Sequence, residues 1–330
     1  MRVLVTGGCG FIGSHVVDHL IRAGHQVRVA DTLTPPAGAH SGDAGGAGNG
    51  LAGFNPAADY LPLDVASLEA LEPAVAGCGA VFHLAAVTNV DHVAADPVTA
   101  VRVNVQGTAC VLEAARRGGC RRVLLASSVW VYGAARSGSS AEEFAEDAPV
   151  DLPRAGHVYV STKLAAELLA HSYRQMYGQH FTILRYGIPY GPRMRDELVV
   201  ARFVRAALEG RPITIAGTGH QQRNYVYVED LADAHVRALA PAAEDQTLTL
   251  EGGTPVSVQE VADTVRELLG PVPVEYVPAR TADYEGRAVS NKLAKELLGW
   301  SPGTPFAEGV RRYLDWYRDS RPVARRGDRR

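Results

Sequence analysis

The chain has 330 residues, 46% of them hydrophobic, and a formal net charge of −3. That is enough to bury a sizeable core in one large α/β unit or two lobes, while the near-balanced charge gives no general attraction for nucleic acid or an anionic membrane surface. Cys9, Cys78, Cys110 and Cys120 stand singly, without zinc-like spacing, so no metal site is expected and a reducing, cytoplasmic setting fits them.

No stretch is long and apolar enough for a membrane span, and the opening MRVLVTGG is too short for a signal-peptide core, so a soluble, untargeted chain is expected. The basic tail RPVARRGDRR reads as a solvated, frayed end. From the start, short β-rich runs alternate with helical patterns: RVLVT, FIGSHVVDHLIRAG and QVRVA, then AVFHLAA, RRVLLASS and FTILRY, each of these last three after a helix-like segment. Such alternation predicts a doubly wound, Rossmann-type parallel sheet with helices on both faces, an α/β fold.

Residues 34–54 carry too many glycines and too few large apolar groups to pack, and read as a mobile loop inserted after the second strand. PVTAVRVNVQGTACVLEAARRGG predicts one long helix and residues 152–177 another. Past Tyr186 the elements become shorter and mixed, which predicts a division into a dinucleotide-binding domain, 1–185, and a smaller α/β lobe, 186–330, with residues about 223–245 returning to the first domain.

Gly7, Gly10 and Gly13 fall between the first strand and the first helix. Missing side chains there let the backbone approach a pyrophosphate, and the helix N-terminus favours its charge. Asp31 ends the second strand, where a carboxylate can meet the adenosine ribose hydroxyls and repel a 2′-phosphate, favouring NAD over NADP; a turn-capping aspartate is the plainer reading. Asp64 and Val65 end the third strand and could face the adenine, or Asp64 could start a helix.

The motifs TGGCGFIG, LDV, HLAA, NVQGT, SSVWVYG, YVSTK, LRYGIPYGP, YVYVED and LLGW, in this order, resemble the signature of the extended short-chain dehydrogenases/reductases, in their nucleotide-sugar branch. The resemblance implies NAD in the first lobe, a UDP-sugar in the second, and a homodimer built on two long helices per subunit. It carries the cofactor contacts to Phe11, Ile12, Leu84, Ala85, Ala86 and Asn104 beside the residues already named. It carries the catalytic set to Ser128, Tyr159 and Lys163, with Ser127 as a structural companion, and the substrate contacts to Thr88, Ser128, Tyr159, Arg193, Arg223 and Arg280.

Lys163 is one of three lysines among 33 Lys and Arg residues, and it lies four residues after Tyr159. On a helix both then project from one face. An ammonium ~4 Å from the phenol at an effective dielectric of ~20 favours the phenolate by roughly 4 kcal/mol, about 3 pKa units, and a nicotinamide cation pushes the same way, so Tyr159 is expected to act as a base near pH 7. Lysine suits the place because it is a compact charge on a flexible stem, able also to reach the nicotinamide ribose.

Dehydratases of this branch carry an Asp-Glu pair directly after the catalytic Ser/Thr, and decarboxylases a Glu two positions after it; this chain has Val129 and Trp130 there. The resemblance therefore implies 4-epimerisation by transient oxidation at C4, with Trp130 lining the sugar pocket. GPRMRDEL resembles the loop of glucuronate enzymes, where Arg193 or Arg195 could face a C6 carboxylate, so the reading leans to UDP-glucuronate. Ile188 stands where the family has an asparagine against the diphosphate sugar. UDP-glucose 4-epimerisation, reduction of an NDP-4-keto-deoxysugar as in antibiotic biosynthesis, and a non-enzymatic dinucleotide sensor remain the alternatives. His92, His157 and His171 read as surface or helix residues.

Overall fold

The computed structural model describes residues 1–33, 53–134, 144–150, 152–279 and 289–320. Residues 34–52 of the glycine-rich loop and Arg280 lie outside them. The first half runs β1 (Arg2–Thr6), α1 (Phe11–Arg22), β2 (Gln26–Asp31), β3 (Asp59–Pro62), α2 (Leu68–Val75), β4 (Ala80–His83), α3 (Val90–Ala95), α4 (Pro97–Val101), α5 (Gly107–Arg117), β5 (Arg122–Ser128), α6 (Val158–Tyr177) and β6 (His180–Tyr186). The second runs β7 (Ile188–Tyr190), α7 (Val199–Leu208), β8 (Ile213–Ala216), β9 (Gln222–Tyr227), α8 (Val228–Arg237), β10 (Gln246–Leu250), β11 (Pro255–Ser257), α9 (Val258–Leu269), β12 (Val274–Val277), α10 (Lys292–Leu298) and α11 (Phe306–Ser320).

Among the described residues, seven strands form one sheet in the order β10-β6-β5-β4-β1-β2-β3, and every neighbouring pair is parallel. This is the expected doubly wound sheet. β4 and β5 are buried along their whole lengths, as befits strands covered by helices on both faces. The strand order reverses between β1 and β4, so the connections after their C-terminal ends diverge and leave a crevice there. β7, β9 and β11 form a second sheet and β8 pairs with β12 in a third; α7, α9 and α11 pack around them on a separate core containing Phe203, Ile213, Val261 and Tyr313. Among the described residues no helix is long and apolar enough to cross a membrane.

Two helices differ from expectation. The first is continuous in direction but changes pitch: Arg102–Gln106 between α4 and α5 is a π-helical turn, a form that tends to occur at functional sites. The second begins at Val158, not at residue 152. Pro153 restricts the backbone before it, Leu152–Arg154 makes only a 3₁₀ turn, and Gly156 takes a left-handed φ of 61°. Extended His157 then caps α6, its Nδ1 accepting from the Tyr159 N–H at 3.1 Å. That capping bond sets the start of the helix one residue before Tyr159.

Candidate active site

At the crevice between β1 and β4, Gly7 adopts φ +73°, and a Cβ there would lie 2.6 Å from the Ala85 nitrogen. Gly13 packs still closer: its Cβ would meet the Gly7 carbonyl oxygen at 2.1 Å. Gly10 precedes α1 without a side-chain cap, so the first amides of the helix are left for a ligand. All three glycines line a cleft of about 990 Å³, together with Phe11, Ile12, Leu84, Ala85 and Ala86. Substituting any side chain at Gly7 or Gly13 would fill the cradle or push α1 off the sheet.

Asp31 lines the same cleft. Its two oxygens accept from the Cys9 and Leu33 backbone N–H groups, each at 3.0 Å, so it does close a turn. Burial raises its pKa, and those backbone donors oppose the rise. Asp64 and Val65 lie on the lining too, but Asp64 accepts from Ala66 N and pairs with Arg102 Nη1 at 2.6 Å. The Ala66 amide and then Arg102 hold it below the ordinary carboxylate range. It does not cap α2, whose cap is Ser67.

Asn104 departs from its expected role. It is 3% exposed and lies behind the lining, where Oδ1 accepts from Val87 N at 2.7 Å and Nδ2 donates to Val87 O and Thr162 Oγ1. With both its amide hydrogens engaged, it anchors the Val87 loop against α6 and leaves no donor for a cofactor.

Ser128, Tyr159 and Lys163 meet on the opposite wall. Successive residues of a strand point to opposite faces, and the serine pair at the end of β5 divides accordingly. Ser127 donates to Glu167 Oε1 at 2.5 Å, while Ser128 accepts from Trp130 N at 3.2 Å and hydrogen-bonds the Tyr159 phenol. The Trp130 ring meets that of Tyr159 edge-on, 6.2 Å between centroids. Lys163 Nζ donates to the Ala126 carbonyl at 2.9 Å and sits 5.9 Å from the Tyr159 ring centroid.

The protein's own groups do not by themselves give Tyr159 the expected acidity. Burial pushes the Tyr159 phenol up to about 12, against the opposing influence of Ser128 and Arg195. Burial also brings Lys163 down to about 8, opposed by Glu167. Lys163 therefore does not by itself make the phenol acidic: desolvation of the phenolate outweighs the charges and the hydrogen bond that favour it. Glu167, one helical turn beyond Lys163, pairs with buried Arg185 at 2.7 Å. Neither residue was singled out in the sequence; the i, i+4 step from Lys163 to Glu167 was the available signal. Tyr186 also lines the cleft, unforeseen, its Oη donating to His235 Nε2 at 2.5 Å because His235 Nδ1 faces the Leu231 carbonyl.

Of the other expected substrate residues, Thr88 and Arg223 line the cleft, as does Ile188. Arg223 is buried, and its Nη1 donates to Gln222 O at 2.7 Å. Arg193 does not line it: the guanidinium turns away and pairs with Asp18 Oδ2 at 2.7 Å, from a backbone with φ 65°. Arg195, two residues on, is the one on the lining.

Residues 3–249 match the model of a family described as the NAD dependent epimerase/dehydratase family. The chain is 35% identical to UDP-glucose 4-epimerase of Mycolicibacterium smegmatis, over 97% of this chain and 99% of that one. Its fold is similar to UDP-glucose 4-epimerase of Thermotoga maritima, solved with UDP-glucose, at a TM-score of 0.84 and 29% identity over 97% and 99% of the two chains. It is also similar to UDP-glucuronic acid 4-epimerase of Bacillus cereus, solved with UDP-glucuronic acid and NAD, at 0.82 and 27% over 96% and 98%. With the glycine cradle and the Ser-Tyr-Lys wall facing one cleft, the protein belongs to the NAD-dependent epimerase/dehydratase family.

Proposed function

We propose that the protein is a UDP-sugar 4-epimerase that retains NAD through turnover and converts UDP-glucuronate to UDP-galacturonate. Arg195 carries the choice of sugar. It is an exposed guanidinium on the cleft lining, without a partner among the described residues, and it acts electrostatically on Tyr159. A C6 carboxylate would supply the charge-assisted, fork-shaped partner that arginine favours. The choice of reaction rests on Val129 and Trp130, neither of which can move a proton.

The cleft fits the cofactor. The glycines leave the room that a pyrophosphate needs, and Asp31, which accepts from the Cys9 and Leu33 N–H groups with the Thr32 N–H also acting on it, keeps acceptor capacity for a ribose hydroxyl. When bound, NAD supplies the acceptor for the C4 hydride and a positive charge in the cleft. Ser128 orients the reacting hydroxyl, and Tyr159 takes and returns the O4 proton. A phenol held near 12 requires added positive charge to become a base, and Lys163, near 8, is still largely charged at neutral pH. Trp130 bounds the space in which the 4-keto sugar turns.

Incubation with UDP-glucuronate, UDP-glucose and their dTDP counterparts, without added nucleotide and read at C4 by NMR, tests the reading; UDP-galacturonate is the expected product. Conversion of UDP-glucose alone would replace the sugar, an outcome favoured by the likeness to the Mycolicibacterium epimerase. Turnover that needs NADH and a 4-keto sugar would make the protein a reductase, and dinucleotide binding without any conversion would make it a sensor.

We also read the protein as a homodimer through the α4–α5 and α6 helices, where Val98, Leu168 and Met176 are 77%, 63% and 69% exposed. Large apolar side chains grouped on neighbouring helices are the usual mark of a covered face. Leu168→Asp should convert the dimer to a monomer in sedimentation; a monomeric parent protein would overturn the assignment.

A further inference from the structure

The loop Gly191–Leu198 carries Arg195 and is fastened at two points to α1, the helix that begins at the glycine cradle. His15, 2% exposed, faces the Pro192 carbonyl with Nε2 and Glu229 Oε1 with Nδ1, each at 2.9 Å. One turn on, His19 Nε2 faces the other Glu229 oxygen at 2.7 Å. Arg193 Nη1 pairs with Asp18 Oδ2 at 2.7 Å, and Asp18 Oδ1 accepts from Asn55 Nδ2 at 2.8 Å. His15, Asp18 and His19 share one face of α1 by their spacing.

A carbonyl oxygen and a carboxylate oxygen are both acceptors only. A ring placed between two such atoms needs a proton on each nitrogen, so this geometry calls for an imidazolium. Glu229 is suited to stay ionised: it lies in the first turn of α8, where a negative charge is favoured, and its hydrogen bonds to His15 and His19 hold it well below the ordinary carboxylate range. Arg193 keeps a left-handed φ of 65°, which costs a non-glycine residue energy that its contacts must offset.

We propose that His15, held doubly protonated between Glu229 and the Pro192 carbonyl, and Arg193, held by Asp18, are positioning residues that fix the Gly191–Leu198 loop to α1 and so keep Arg195 on the cleft. The groups facing this latch are His19 and Asp18 from α1, Glu229 from α8 with His235 and Tyr227 near it, Arg193 from the loop, and Tyr60 from β3 beside Asp18 and Arg193; the Phe11 ring covers His15 edge-on. His15 thereby couples the dinucleotide end of the cleft to the sugar end. The consequence for substrate affinity rests on the UDP-glucuronate reading; the protonation of His15 does not.

The test uses the full chain with its histidines labelled with nitrogen-15. At pH 7 both ring nitrogens of His15 should carry the shifts of protonated imidazolium, and Glu229→Gln should leave one of them unprotonated. Glu229→Gln and Asp18→Asn should each speed amide hydrogen exchange across 191–198 by about tenfold. In the active enzyme they should raise KM for UDP-glucuronate about tenfold with kcat within about twofold. A parent His15 with a single proton at pH 7, or exchange across 191–198 unchanged in both variants, would overturn the latch, and neither readout requires that UDP-glucuronate be the substrate.

Discussion

Replacing Lys163 with methionine should make the protein more stable while abolishing its turnover. In the folded chain the amine titrates near 8 instead of its ordinary 10.5, which at ~1.36 kcal/mol per pKa unit means that the buried charge costs the fold about 3 kcal/mol at pH 7. Methionine fills a similar volume without that charge. It also loses the hydrogen bond to Ala126, worth about 1 kcal/mol, so the net gain is about 2 kcal/mol, or roughly 3 °C in Tm for a chain of this size. The sign depends on pH. Below pH 8 the parent lysine is charged in both the folded and unfolded states and the penalty is complete; between 8 and 10.5 only the unfolded state holds the proton, so the parent gains stability as pH rises. Thermal unfolding of both proteins from pH 6.5 to 10.5 should therefore show the advantage of the variant shrinking and then reversing. A variant less stable at pH 7, or an advantage indifferent to pH, would refute the claim that Lys163 is held at an energetic cost.

Tyr159→Phe should cut turnover by about 10²–10⁴-fold with NAD still bound, measured by titration calorimetry for the cofactor and by NMR at C4 for turnover. Asp31→Ala should lower the NAD-over-NADP binding preference by about tenfold, equivalent to about 1.4 kcal/mol, read by titration calorimetry. Glu167→Gln leaves Arg185 buried without its counter-charge and should cost about 3 kcal/mol of stability. Because Glu167 supports the Lys163 proton, the same variant should also move the alkaline limb of the pH–rate profile to lower pH.

What could be read from the chain alone was local. The glycine turn and the Tyr159–Lys163 step each place their chemistry within one strand end or one helical turn, so spacing was a guide to their geometry, whereas the roles of Ser127 and Ser128 came from the family resemblance. Arg193 and Asn104 looked like ligand contacts because they stand in motifs beside the cleft, yet their partners Asp18 and Val87 come from other segments, and nothing local to either residue specifies which way its side chain turns. The Glu167–Arg185 pair and the His15–Glu229 contact join residues 18 and 214 positions apart. Only the completed sheet brings such partners together.

The overestimate of what Lys163 alone does to Tyr159 has the same origin. Spacing gives the distance between two side chains on a helix but not the water removed from around them, and here the removal of water outweighs the Coulomb attraction. Burial leaves the phenol a weaker acid and the lysine a weaker base than in water, though the lysine is still largely charged at neutral pH. Both departures disfavour charge, so Tyr159 keeps its proton unless the positive charge of oxidised NAD stands beside it. Ser127, Glu167 and Arg185 lie behind that wall as a fully paired network, and they allow Lys163 to remain charged in surroundings that would otherwise strip its proton.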